Sequence, residues 1–175
     1  MPKFISIIVD TNAMINFFKS DSRYGTQEQP YIADHFITTD APQAIWKGAK
    51  ILVLEPKTEY RIQLISSANS PSVNILTPNE DDAAIVFTQI SDQQITENDW
   101  EKIFDLESMN AHVNSEGKLV VKETESNTLN FFSIQTNEKI TIENNLQYNI
   151  LFKFGEPEKF AVIDPYIENT TGIDD

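Results

Sequence analysis

The sequence offers few side chains for acid–base, nucleophilic or metal chemistry. Its two histidines, His35 and His112, lie far apart in the chain and lack the ligand spacing of a zinc site or a catalytic triad. Cysteine is absent, which excludes disulfides, thiolate metal sites and cysteine nucleophiles. No phosphate-binding loop or nucleophile-elbow motif occurs, and there are only five glycines. We therefore predict a protein that is not an enzyme and carries no cofactor.

One acidic segment could bind a hard cation. Asn79, Glu80, Asp81 and Asp82 follow one another in a predicted loop, and oxygen ligands of this kind are those that calcium prefers. The glycine and the terminal glutamate of an EF-hand are missing. Two interpretations stay open: Asp81 and Asp82 bind calcium, or the segment is a solvated turn before a strand that begins at Ala83.

Several aromatic residues fall in predicted loops or at strand ends, where rings can stack on sugars or enter a partner's pocket. They are Tyr24, Tyr31, Trp46, Trp100 and Tyr166. The alternative is that each ring belongs to the hydrophobic core. If two or more are exposed together, binding of a glycan or of a protein becomes the favoured function.

The elements that must position these residues are mainly strands. Leu146–Phe154 alternates large apolar with polar residues, which predicts a strand with one buried and one wet face. Short runs rich in β-branched residues predict further strands at Phe4–Val9, Ile51–Leu54, Tyr60–Leu64, Ala83–Ile90, Leu119–Val121 and Ile140–Ile142. Asn12–Ser20 and Thr96–Met109 have helical spacing. We predict an all-β sandwich or barrel with one or two short helices.

Length and charge narrow the class of protein further. The 175 residues suit a single domain, 1–175, with a loose tail from about residue 168. A net charge of −14, with singly scattered lysines, makes nucleic acid and anionic membranes unexpected partners. No segment reaches the roughly 18 apolar residues of a membrane span, and the N-terminus lacks the apolar stretch of a signal peptide. The expected location is the cytoplasm.

Three segments follow one another at familiar distances: Ile5–Thr11, Tyr31–Thr39 and Phe160–Ile167, with Asp81–Phe87 between the second and the third. Their order, from about residue 4 to about residue 167, resembles the bacterial inclusion-body protein family, PixA/AidA. The resemblance implies an immunoglobulin-like antiparallel β sandwich, self-association and no established enzymatic activity. The chain departs from the family pattern in its Arg23–Pro30 loop, in a longer Asn69–Glu80 insertion and in having only three methionines.

The resemblance also pairs Asp10 with Asp164, two aspartates that each end an apolar strand. They either form one polar site or bond local backbone amides, and a hydrolase would need such convergent carboxylates. The expected ligand-binding residues are Asp10, Trp46, Asp164 and Tyr166. We expect a module that binds carbohydrate or another small polar ligand through loops at one end of the sandwich, as a homodimer. The alternative is a self-assembling structural or storage protein with a flat apolar sheet face.

Overall fold

The computed structural model describes residues 1–19, 22–26, 28–40, 46–47, 51–67, 84–89, 97–124, 131–139, 146–154, 159–163 and 166–169. Its strands, in chain order, are β1 (Lys3–Val9), β2 (Tyr31–Ile32), β3 (Ile37–Thr39), β4 (Trp46–Lys47), β5 (Ile51–Leu54), β6 (Glu59–Ser66), β7 (Ala84–Gln89), β8 (Ala111–Val113), β9 (Leu119–Lys122), β10 (Phe132–Gln135), β11 (Leu146–Phe154), β12 (Lys159–Ile163) and β13 (Tyr166–Asn169). The helices are α1 (Thr11–Phe18) and the single turn α2 (Glu97–Trp100). A short 3₁₀ helix follows at Leu106–Ser108.

The strands form two sheets. The smaller sheet has the order β10-β6-β1-β3, and the larger one runs β4-β5-β13-β11-β7-β9-β8. In the larger sheet β12 also pairs with β11, and β2 pairs with β12. The predicted all-β sandwich with one or two short helices is confirmed. The sheets are mixed rather than wholly antiparallel, because β1 lies parallel to β6, β5 to β13, and β2 to β12. Parallel neighbours require long crossover connections, and each of these pairs is far apart in sequence. The immunoglobulin-like arrangement stays a prediction.

The core lies between the inward faces of the two sheets. In β6 the side chains of Tyr60, Ile62 and Leu64 are buried while their sequence neighbours are partly exposed, as the period of two predicts. The same cluster of buried residues includes Phe87 of β7 and Phe152 of β11, so both sheets contribute to one apolar layer. The single domain over residues 1–175 stays a prediction, and the chain beyond Asn169 lies outside the described residues.

The second helix is much shorter than the segment Thr96–Met109 for which the sequence predicts helix. The helical spacing of Thr96–Met109 persists only through α2, after which the chain turns. The cause is competition from the end of β10: the Asp105 amide donates to the Gln135 carbonyl at 2.9 Å, and the Asn137 amide donates to the Ile103 carbonyl at 3.0 Å. These long-range hydrogen bonds replace the i to i−4 bonds that would continue the helix.

A buried tyrosine should make the fold sensitive to alkali. The Tyr60 hydroxyl accepts a hydrogen bond from the Glu55 amide at 2.7 Å, and burial raises the Tyr60 pKa to about 12. A pKa raised on folding stabilises the protein fully below the ordinary value of about 10, and this contribution is lost as the pH rises towards 12. We expect Tyr60→Phe to cost about 1 kcal/mol at pH 7 because a hydrogen bond is lost.

As the pH rises above about 10, the free energy of unfolding of Tyr60→Phe should also fall less than that of the wild type. Urea unfolding at pH 7, 10 and 11 measures the free energy of unfolding of the wild type and of Tyr60→Phe. Burial raises the pKa of Tyr31 and Tyr148 in both proteins, so the contribution of Tyr60 is the difference between them. Over the full alkaline transition, Tyr60 should account for roughly 2 kcal/mol of the loss. Parallel curves for the two proteins would contradict this assignment.

Candidate functional site

The outer face of the smaller sheet carries side chains that are unusual for a surface in contact with water. Because side chains alternate along a strand, Phe4 lies on the face opposite to buried Ile5 and is 65% exposed. The parallel register of β1 with β6 places Phe4 beside Arg61, and Ser6 beside Gln63. Two strands far apart in the sequence thus bring an aromatic ring, a guanidinium group and an amide to one surface.

A third strand completes this group. Phe131 immediately precedes β10, and its ring lies 5.1 Å from the Arg61 guanidinium, which lies 5.7 Å from the Phe4 ring on its other side. The Arg61 Nε also donates to a Glu59 carboxylate oxygen at 2.6 Å. Cation–π attraction and this ion pair hold the guanidinium between the two rings.

These side chains border a cleft that is open to solvent. Phe4, Ile5, Arg61, Gln63 and Phe131 line it. Its enclosed volume is about 20 Å³, little more than one water molecule needs. A ligand at the outer-face cleft would therefore lie across its side chains at the surface, not inside a pocket. We use the name outer-face cleft for this group of five residues below.

The wall of the cleft contains an unsatisfied hydrogen-bond acceptor. The Gln63 amide nitrogen donates to the Ser6 hydroxyl at 2.7 Å, whereas its Oε1 atom is buried and has no partner among the described residues. A buried acceptor left without a donor costs about 1–3 kcal/mol. A ligand hydroxyl or N–H group could donate to Gln63 Oε1 if the side chain rotated to expose this atom.

The chemistry of the outer-face cleft suits binding. Two aromatic rings, guanidinium N–H donors and an amide acceptor can stack on a ligand and hydrogen-bond to it, but they supply no nucleophile with an adjacent base. Within the described ranges, no group of three or more histidine, aspartate or glutamate side chains could hold a metal ion. His35 and His112 are both exposed, His35 in the turn between β2 and β3 and His112 in the edge strand β8.

Asp10 has a local role in the structure. It is exposed and caps α1, because its Oδ1 atom accepts a hydrogen bond from the Ala13 amide at 3.0 Å. Of the two interpretations of Asp10, this hydrogen bond supports the one in which the carboxylate bonds a local backbone amide. Asp164 lies outside the described residues, as do Asp81 and Asp82, so the polar pair and the calcium site stay predictions.

The other two predicted ligand-binding residues lie in neighbouring strands of the larger sheet. Trp46 belongs to β4 and pairs with Leu52 of β5, while Tyr166 belongs to β13 and pairs with Ile51. The backbone thus brings these positions to either side of one short strand near the edge of the sheet. They do not belong to the sheet that carries the outer-face cleft.

Most of the remaining aromatic candidates belong to the core. Trp100 is fully buried, Tyr31 is buried, and Tyr24 is half-buried against the Phe18 ring, with 4.9 Å between ring centroids. Among the side chains that the structure describes, the strongly exposed rings are Phe4 and Phe17, which the sequence did not single out. The sequence does contain a signal for the exposure of Phe4. In the alternation of β1, Phe4 lies on the same face as the polar Ser6 and on the face opposite to Ile5 and Ile7.

No model of a known protein family matches the chain, and none of the curated proteins is significantly similar to it. The likeness to the inclusion-body family therefore rests on the ordered sequence segments. Among the helices that the structure describes, none is both long and apolar enough to cross a membrane.

Proposed function

We propose that this protein is a non-enzymatic binding module that takes a small polar ligand, most simply a carbohydrate, in the outer-face cleft. The observation that carries the proposal is the exposed Phe4 ring beside the Arg61 guanidinium and the Gln63 side chain in one cleft. A sugar ring has an apolar C–H face that packs on a phenylalanine ring and hydroxyl groups that donate to an amide oxygen. The Phe4 ring and the Gln63 amide lie on the same outer face of the smaller sheet, where a sugar could contact both.

The proposal extends to the wider class of the protein. The ordered segments that resemble the PixA/AidA family support a bacterial protein without enzymatic activity, and a cytoplasmic location is part of the proposal. The strong acidity of the chain supports ligands other than nucleic acid, because phosphate backbones would meet a repulsive field.

The test is a glycan array followed by calorimetry with the best ligand. Phe4→Ala should weaken binding about tenfold, because it removes the most exposed stacking surface of the cleft. Phe17→Ala is the matched control: Phe17 is 69% exposed but lies on α1, and its removal should leave affinity unchanged. A silent array, or equal affinities for wild type and Phe4→Ala, would contradict the proposal.

Self-assembly is the second candidate, and one observation favours it. Beyond the outer-face cleft, the same face continues with Ile8 and Ile65, which are cross-strand neighbours, and Ile65 is 36% exposed. An apolar patch on a sheet face can bury itself against a second copy of the chain. Light scattering on the array sample separates the candidates, because a discrete dimer with a silent array would favour assembly.

A further inference from the structure

The donors of Arg61 point to the chemical class of the ligand. We propose that the ligand in the outer-face cleft is an acidic sugar whose carboxylate binds the terminal nitrogens of Arg61; this inference rests on the proposed function of the same cleft. Arginine presents a planar fork of N–H groups that matches the two oxygens of a carboxylate, and such charge-assisted pairs are the stronger hydrogen bonds in proteins.

Arg61 is held ready for such a contact. The rings of Phe4 and Phe131 flank its guanidinium at 5.7 and 5.1 Å, and Glu59 engages its Nε atom. The described part of the chain offers no hydrogen-bond partner for its Nη1 and Nη2 atoms. The guanidinium therefore loses little conformational freedom when a ligand binds, and it still has donors to satisfy.

The local charge of Arg61 selects among ligand classes, although Glu59 pairs with its Nε atom and the chain carries a net charge of −14. A single carboxylate would contact the Nη atoms directly, whereas repulsion from distant carboxylates is screened beyond roughly 10 Å, and a polyanion would meet many of them. The Arg61 guanidinium already occupies the faces of the two rings to which a cationic ligand would otherwise bind. Its positive charge would repel such a ligand at this distance. A neutral sugar would leave the Nη donors to weaker, uncharged acceptors. An acidic sugar supplies a carboxylate for Arg61, hydroxyl donors for Gln63 and an apolar ring face for Phe4.

Four probe ligands test the inference by calorimetry or by ligand-observed NMR: glucuronate, its methyl ester, glucose and a short peptide with a free C-terminal carboxylate. We expect glucuronate to bind at least about tenfold more tightly than the ester or glucose, because only glucuronate combines a charged carboxylate with a sugar ring. Added salt should weaken the binding of glucuronate and leave that of glucose almost unchanged.

Variants at the two arginines of the chain supply the matched comparison. Arg61→Lys keeps the charge but loses the fork, and Arg61→Gln loses both, so we expect the affinity for glucuronate to fall about 10- to 100-fold in each. Arg23→Lys, the same change at an exposed position outside the cleft, should have no effect. Thermal melts show whether each variant is folded.

Each outcome is decisive. Equal binding of glucuronate and its ester, or full affinity in folded Arg61→Lys, overturns the carboxylate inference while the cleft remains a sugar site. Tighter binding of the peptide than of glucuronate overturns the sugar as the source of the carboxylate. A wild-type protein that binds none of the four ligands and gives a silent array overturns the proposed function itself.

Discussion

Trp100→Ala should lower the free energy of unfolding by about 3–5 kcal/mol and leave binding at the outer-face cleft unchanged. The Trp100 side chain is fully buried and packs among the rings of Phe87 and Phe104, with centroids 6.4 and 6.3 Å away. Its indole nitrogen donates to the Gly117 carbonyl at 2.9 Å, so the truncation leaves a cavity and an unpaired acceptor. Denaturant unfolding measures the loss of stability.

A second variant separates the two parts of this loss. Trp100→Phe keeps most of the apolar volume and removes the hydrogen bond, so it should cost about 1–2 kcal/mol. Calorimetry on the folded fraction at low temperature, with the ligand identified for the cleft, measures binding. If Trp100→Ala costs less than about 1 kcal/mol and also abolishes binding, the assignment of Trp100 to the core is wrong. Trp100 would then be a ligand-stacking residue.

Local sequence pattern predicted the strands well because alternation is a local property. The central strand β11 was predicted at its observed bounds, and Tyr148, Ile150, Phe152 and Phe154 are all buried. The exception is Lys153, which alternation assigns to a wet face but which is only 5% exposed. Its partner across the ladder is Phe160 of β12, a large ring on the same side of the sheet. Such coverage depends on the pairing of strands, which a single strand does not reveal.

The candidate site could be predicted only in part for the same reason. The outward phase of Phe4 and of Arg61 can be read from their own strands. That the two are neighbours follows from the parallel register of β1 with β6, and Phe131 joins them through a third segment much later in the chain. Sheet order and register are set by the packing of the whole molecule, so no spacing motif in the sequence marks the cleft.

Gly25→Ala should be the second strongly destabilising change, at about 2–5 kcal/mol. Gly25 has a φ of 86°, which costs any residue with a Cβ atom, and an added Cβ would lie 2.6 Å from Cζ of the Tyr31 ring. That ring is buried and stacks on Phe18 at 5.1 Å, so it has little room to retreat. Denaturant unfolding of the variant gives the size of the effect.

A double-mutant cycle with Tyr31→Leu divides this cost into its two causes. In the Tyr31→Leu background the ring is gone, and Gly25→Ala should cost only the roughly 1–2 kcal/mol of the left-handed backbone. The difference from the cost in the wild-type background is then the steric clash. Strictly additive costs would mean that the Tyr31 ring does not confine Gly25. In that case the glycine is required by the turn alone, in which its amide donates to the Gln29 carbonyl at 2.8 Å and its carbonyl accepts from the Phe160 amide at 3.0 Å.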